Sequence, residues 1–87
     1  MELQHIRKHI DDIDNDILNL IAQRMSYMHK VAQYKKEHGL PIFDVQREEQ
    51  LLIHKKQVAQ QLGLCPKLAE DVFTLIMDEA KKLQKAF

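Results

Sequence analysis

The stretch Leu3–Glu37, LQHIRKHIDDIDNDILNLIAQRMSYMHKVAQYKKE, runs for thirty-five residues without a glycine or a proline. Its apolar residues recur at positions 3, 6, 10, 13, 17, 20, 21, 28 and 31, the three-and-four spacing that gathers side chains on one stripe of an α-helix. A helix of that length is a rod of about 50 Å. A compact chain of 87 residues has a radius of gyration near 12 Å and a diameter of about 30 Å, so the rod outruns the globule. The rest of the chain cannot cover the whole stripe. Much of it must then be buried against another chain or stay in water at a high hydrophobic cost. This predicts an intertwined homodimer with two-fold symmetry and antiparallel long helices.

Outside that stretch, breakers fall in two places, His38-Gly39-Leu40-Pro41 and Leu62-Gly63-Leu64-Cys65-Pro66. Asp44 follows the extended Pro41-Ile42-Phe43 and has the character of an N-cap, so a second helix is expected over about 44–61. Pro66 suits a first helical position and opens a third helix over about 66–85. The expectation is a single all-α domain over 1–87, with one long helix over about 3–37 and two of medium length.

Composition narrows the function. Two glycines, two prolines and no tryptophan leave little for a small β fold. Thirteen basic residues balance thirteen acidic ones, which argues against a nucleic-acid or membrane-surface protein. The lone Cys65 can form no internal disulfide and supplies no zinc framework, and the first residues lack the apolar run of a signal peptide, so a cytoplasmic protein is expected. His5 and His9 have the spacing of a helical metal pair but no evident third ligand, so no metal is expected. Tyr27 and Tyr34 share a heptad column with Ile6, Ile13 and Leu20 and are assigned to packing. The pairs Lys55-Lys56 and Lys81-Lys82 are assigned to solvated faces, and Cys65 to a poor helix cap.

Several polar residues sit on apolar faces. Arg24 is in register with Leu3, Ile10, Ile17 and Val31; Lys35 with Met28, Ile21 and Arg7; Glu48 with Val45, Leu52 and Ala59; Gln84 with Phe73, Met77 and Ala80. Buried charges need partners. One reading makes Arg24 a register-setting residue of a helical seam, with Arg7 and Lys35 snorkelling and Glu48 paired to one of them. The other starts from the surplus of inward cations, Arg7, Arg24 and Lys35 against Glu48, which a dianionic ligand would balance. Arg24 and Lys35 lie about 16 Å apart along the axis and can converge on one small molecule, whereas Arg7 lies about 42 Å from Lys35. In an antiparallel dimer the Arg7 end of one chain passes near the Lys35 half of the other, giving two shared sites.

The ordered set Ile6-Arg7-Lys8-His9-Ile10-Asp11-Asp12-Ile13-Asp14, Ile21-Ala22-Gln23-Arg24, Val31-Ala32-Gln33-Tyr34-Lys35-Lys36 and Pro41-Ile42-Phe43-Asp44-Val45-Gln46-Arg47-Glu48 resembles the all-helical class of chorismate mutase over nearly the whole chain. The resemblance implies an interlocked three-helix dimer that rearranges chorismate, a small dicarboxylate, to prephenate on the way to phenylalanine and tyrosine. It further implies that Arg7 of the partner subunit and Arg24 bind the two carboxylates, and that Lys35 and Gln84 donate to the ether oxygen. Glu48 and the Asp44 amide would hold the ring hydroxyl, and Arg47 would support the site. Lys35, Gln84, Arg24 and Glu48 are the expected catalytic set. Ala80 stands where relatives often place a hydroxyl or amide, which implies weaker substrate binding.

The implied reaction breaks a carbon–oxygen bond as a carbon–carbon bond forms and moves no proton, so no cofactor is expected. Two rivals stay open. One is isochorismate-pyruvate lyase, which uses the same fold but whose pattern lacks a carboxylate at the position of Glu48. The other is a non-catalytic helical dimerisation module, which would tolerate Arg24→Ala.

Overall fold

The computed structural model describes residues 2–86. Four helical segments follow one another: α1 (Leu3–Ser26), α2 (Met28–Glu37), α3 (Val45–Gln61) and α4 (Pro66–Lys85). α1 and α2 are the two parts of the long helix, separated only by Tyr27, which keeps right-handed helical backbone angles. The irregular turn has a local cause. Ser26 Oγ donates to the Gln23 carbonyl at 2.6 Å, the oxygen that the Tyr27 amide would otherwise take, and that amide bonds Arg24 O at 3.3 Å instead. A serine hydroxyl competing for the helical ladder tightens the turn in this way.

Both stops of the long and middle helices are glycine motifs. Gly39 (φ 65°) follows α2 and Gly63 (φ 72°) follows α3, each in the left-handed conformation that a side chain resists. The next residue then reaches back, Leu40 N to Lys35 O at 2.7 Å and Leu64 N to Ala59 O at 2.8 Å, which satisfies a carbonyl of the last turn. Asp44 caps α3 by accepting from the Arg47 amide at 3.0 Å. Pro66 is the first residue of α4, and Cys65 before it makes no side-chain cap bond.

α3 and α4 form an antiparallel pair whose register is visible in two cross-helix ion pairs, Lys56–Glu70 at 2.6 Å and Lys81–Glu48 at 2.8 Å. α2 lies against the C-terminal half of α4, where Lys35 and Met28 meet Gln84. The buried residues are Ala32, Leu51, Ala59, Met77, Ala80 and Gln84, all from α2, α3 and α4. α1 contributes none. The column assigned to packing faces away from this core: Ile13 is 57% and Leu20 62% exposed, and Tyr27 and Tyr34 are exposed as well. Tyr34 stacks on His38 with ring centroids 4.0 Å apart, not on the chain's own core.

The radius of gyration is 16.1 Å and the longest dimension 55 Å, against about 12 Å expected of a compact chain of this length. Among the described residues, no helix is long and apolar enough to cross a membrane.

Candidate active site

Where the C-terminal end of α1, α2, the 38–44 loop, α3 and α4 converge, they line an open cavity of about 240 Å³. Its polar lining is Arg24, Lys35, Asp44, Arg47, Glu48, Lys81 and Gln84, and its apolar walls include Met28, Val31, Ile42, Leu51 and Met77. Helix register explains the convergence. Arg24, Met28, Val31 and Lys35 succeed one another at spacings of four, three and four along the long helix, and on α4 Ala80 and Lys81 follow Met77 by three and four and precede Gln84 by four and three. Each set is one face, and the two faces meet.

Lys35 is the most constrained of these groups. Its ammonium donates to the Ile42 carbonyl at 3.0 Å and to Gln84 Oε1 at 2.9 Å. An ammonium has three donors, so one is left for a ligand. Gln84 is buried, at 6% exposure. Its oxygen is held by Lys35, and its amide nitrogen meets only the Met28 thioether at 3.7 Å, a weak acceptor that a better one can replace. Two donors are thus fixed side by side by each other.

Arg24 carries the sharpest electrostatic signal. Its Nη1 is buried and has no hydrogen-bond partner among the described residues. Burial and then the positive charge of Arg47 lower its pKa from the usual guanidinium value, so its charged form lacks a counter-ion in the free protein. A buried donor without a partner is disfavoured unless a ligand supplies the acceptor. Four cations line the cavity, Arg24, Lys35, Arg47 and Lys81, against the two carboxylates Asp44 and Glu48. An anion, and a dianion best, would balance them.

Six of the seven residues named from sequence therefore share one cavity. Arg7 does not reach it within the chain; it lies exposed on α1, near the far end of the rod. Ala80 is buried in the cavity wall, so the position lacks a polar side chain in space as it does in sequence.

Lys81 corrects the assignment of Lys81-Lys82 to a solvated face. Lys82 is exposed, but Lys81 is about three-quarters buried and pairs with Glu48 at 2.8 Å. That hydrogen bond raises the Lys81 pKa above the ordinary ammonium value. The signal was present in the sequence: Lys81 is four residues after Met77 and three before Gln84, on the face already assigned inward. The pair Lys55-Lys56 is likewise half-buried, Lys56 against Glu70 and Lys55 over the Phe73 ring at 5.6 Å. Elsewhere, no three His, Cys, Asp or Glu side chains gather into a metal-holding group among the described residues.

The sequence profile of the chorismate mutase type II family matches residues 6–85, a span that includes every polar residue of the cavity and Arg7 as well. A chorismate mutase of Methanocaldococcus jannaschii is 35% identical over 86 residues, covering 99% of this chain and 87% of that protein. The T-protein of Enterobacter agglomerans is 37% identical over 91% of the chain, but the chain spans only 21% of its length. A monofunctional chorismate mutase of the same organism is 44% identical over 74% of the chain and 35% of its own length. The match runs through all four helical segments and both faces that build the cavity, and the chain belongs to the chorismate mutase type II family.

Proposed function

We propose that this chain rearranges chorismate to prephenate, in the cytoplasm and on the route to phenylalanine and tyrosine, as a homodimer whose two sites are each completed by Arg7 of the partner subunit. The observation that carries the reading is the buried, unpartnered Arg24 Nη1 in a cavity with surplus positive charge. Such a place calls for a small ligand with two negative charges. Arg24 and Arg7 of the partner subunit would take the two carboxylates, for which planar bidentate donors suit better than ammonium groups.

The reaction asks little else of the protein. Its substrate must be held with the side chain folded over the ring, and charge that develops on the breaking ether oxygen must meet donors already in place. Lys35 and the Gln84 amide supply those donors, and their mutual bond keeps both from reorganising during the reaction. Glu48 and the Asp44 amide would hold the ring hydroxyl, with Arg47 beside them. Electrons move within one molecule and no proton leaves it, so neither a metal nor an organic cofactor has a step to perform.

Two physical quantities support the dimer. The accessible surface is 7042 Å², whereas a compact monomer of 10.3 kDa would expose about 5,400 Å². The excess is of the size that obligate partners bury, and α1 is a segment in which no residue is buried. A cavity of about 240 Å³ is also somewhat below the roughly 300–1,000 Å³ usual for small-ligand sites, as expected of a site that another chain must wall off.

Incubating the purified protein with chorismate and, separately, with isochorismate tests the reading. Prephenate from the first and no salicylate from the second is the expected result. Salicylate and pyruvate from isochorismate, with chorismate untouched, would assign the chain to the lyase chemistry instead.

A further inference from the structure

The proposed roles leave Lys81 without a task. Its ammonium is 2.8 Å from Glu48 Oε1 and 3.6 Å from Asp78, with about a quarter of the Lys81 and Glu48 side chains exposed. Its ammonium lies over the Phe43 ring, 5.4 Å from the ring centroid. Both members of the pair line the cavity, so the ion pair belongs to the wall of the site and not to the outer surface.

We propose that Lys81 sets the specificity for the ring substituent: paired to Glu48, it makes the site accept a neutral hydroxyl at that point of the substrate and reject an ammonium. The inference rests on the mutase reading and on Glu48 as the group that meets the ring hydroxyl. A lone carboxylate binds a charged donor more strongly than a neutral one, so an unpaired Glu48 would favour an amino group over a hydroxyl. With Lys81 already on Oε1, a second ammonium arrives next to a like charge. A hydroxyl meets no such repulsion. A carboxylate has two oxygens and about four acceptor positions, so Glu48 holds Lys81 on one oxygen and can still take the hydroxyl on the other.

Charge balance leads to the same place. Four cations against two carboxylates leave the chain's own cavity lining with surplus positive charge, with Asp78 beside Lys81 outside that lining, so of two ligands the more negative is favoured. The analogue with an amino group there is protonated at neutral pH and carries one net negative charge. Removing Lys81 lowers the surplus by one and shifts the site toward the analogue. Arg7 of the partner subunit adds the same charge in both cases and leaves the difference intact.

The test compares kcat/KM for chorismate and for 4-amino-4-deoxychorismate in the wild-type protein, Lys81→Met and Lys81→Arg. The expected outcome is a wild-type preference for chorismate that falls by about tenfold or more in Lys81→Met, the size of one like-charge contact near a protein surface. The change should be carried mainly by KM, rising for chorismate and falling for the analogue, and Lys81→Arg should restore the wild-type ratio. A general loosening of the fold would lower both activities together and leave the ratio alone. A ratio in Lys81→Met within about twofold of wild type overturns the inference. If Lys81→Met fails to fold by circular dichroism, Lys81→Gln is read in its place. A wild-type protein that turns over neither substrate overturns the mutase reading beneath, a result distinct from an active enzyme whose preference survives the substitution.

Discussion

The two ends of the long helix are built from the same apolar repeat and meet opposite fates. From Arg24 onward its inward face is covered by α4, with Ala32 buried, and there it lines a cavity. Before Arg24 the same stripe, Leu3, Ile6, Ile10, Ile13 and Ile17, is exposed in the single chain, and Arg7 sits in its midst. The comparison teaches that the periodicity of a helix states which face is to be buried and says nothing of which chain will bury it. The covered half carries the donors that are already fixed; the bare half carries Arg7, the residue that the proposed dimer would bring to the cavity of the other chain.

The largest effect should come from the covered half. Lys35→Ala removes the donor that is held by Ile42 O and Gln84 Oε1. It should lower kcat by about a hundredfold or more while circular dichroism stays helical; a turnover within about tenfold of wild type would show that Lys35 is not the stabilising donor.

Gln84 gives a smaller and pH-dependent change. A side-chain amide is neutral at every pH, so the wild-type turnover should stay level between about pH 5 and 7.5. Gln84→Glu should lose about tenfold at the upper end and recover as the carboxyl is protonated, since only the acid form can donate. A wild-type profile that fell sharply through that range would contradict the role given to Gln84. Smallest is Ala80→Ser, which returns a hydroxyl to the cavity wall. It should lower KM a few-fold, by about the worth of one hydrogen bond, with kcat little changed, and a raised KM would mean that Ala80 serves packing alone.

Much of this division is legible in the sequence. The stops at Gly39 and Gly63, the Asp44 cap and the Pro66 start are local chemistry, set by backbone angles and capping bonds within a few residues. The cavity was legible because its members repeat at helical spacing, Arg24 with Lys35 and Met77 with Gln84. What escaped depends on neighbours distant in sequence or on hydrogen bonds of single side chains. Adjacency in sequence groups Lys81 with Lys82, and only the approach of α3 shows that one pairs with Glu48 while the other stays in water. The turn at Tyr27 rests on a single Ser26 hydroxyl. The repeat assigns Tyr27 and Tyr34 to packing, and in the single chain both are exposed, like the stripe of α1.

The central claim is that a site begun in one chain is finished by Arg7 of the partner subunit, and mixing two defective proteins tests it most directly. Arg7→Ala and Lys35→Ala should each be nearly inactive as homodimers. Unfolded together in equal amounts and refolded, half the dimers are mixed by chance, and each mixed dimer holds one intact site, with Lys35 from one chain and Arg7 from the other. The account predicts recovery of about a quarter of the wild-type activity from this two-fold arithmetic. A refolded mixture no more active than its two components would contradict it.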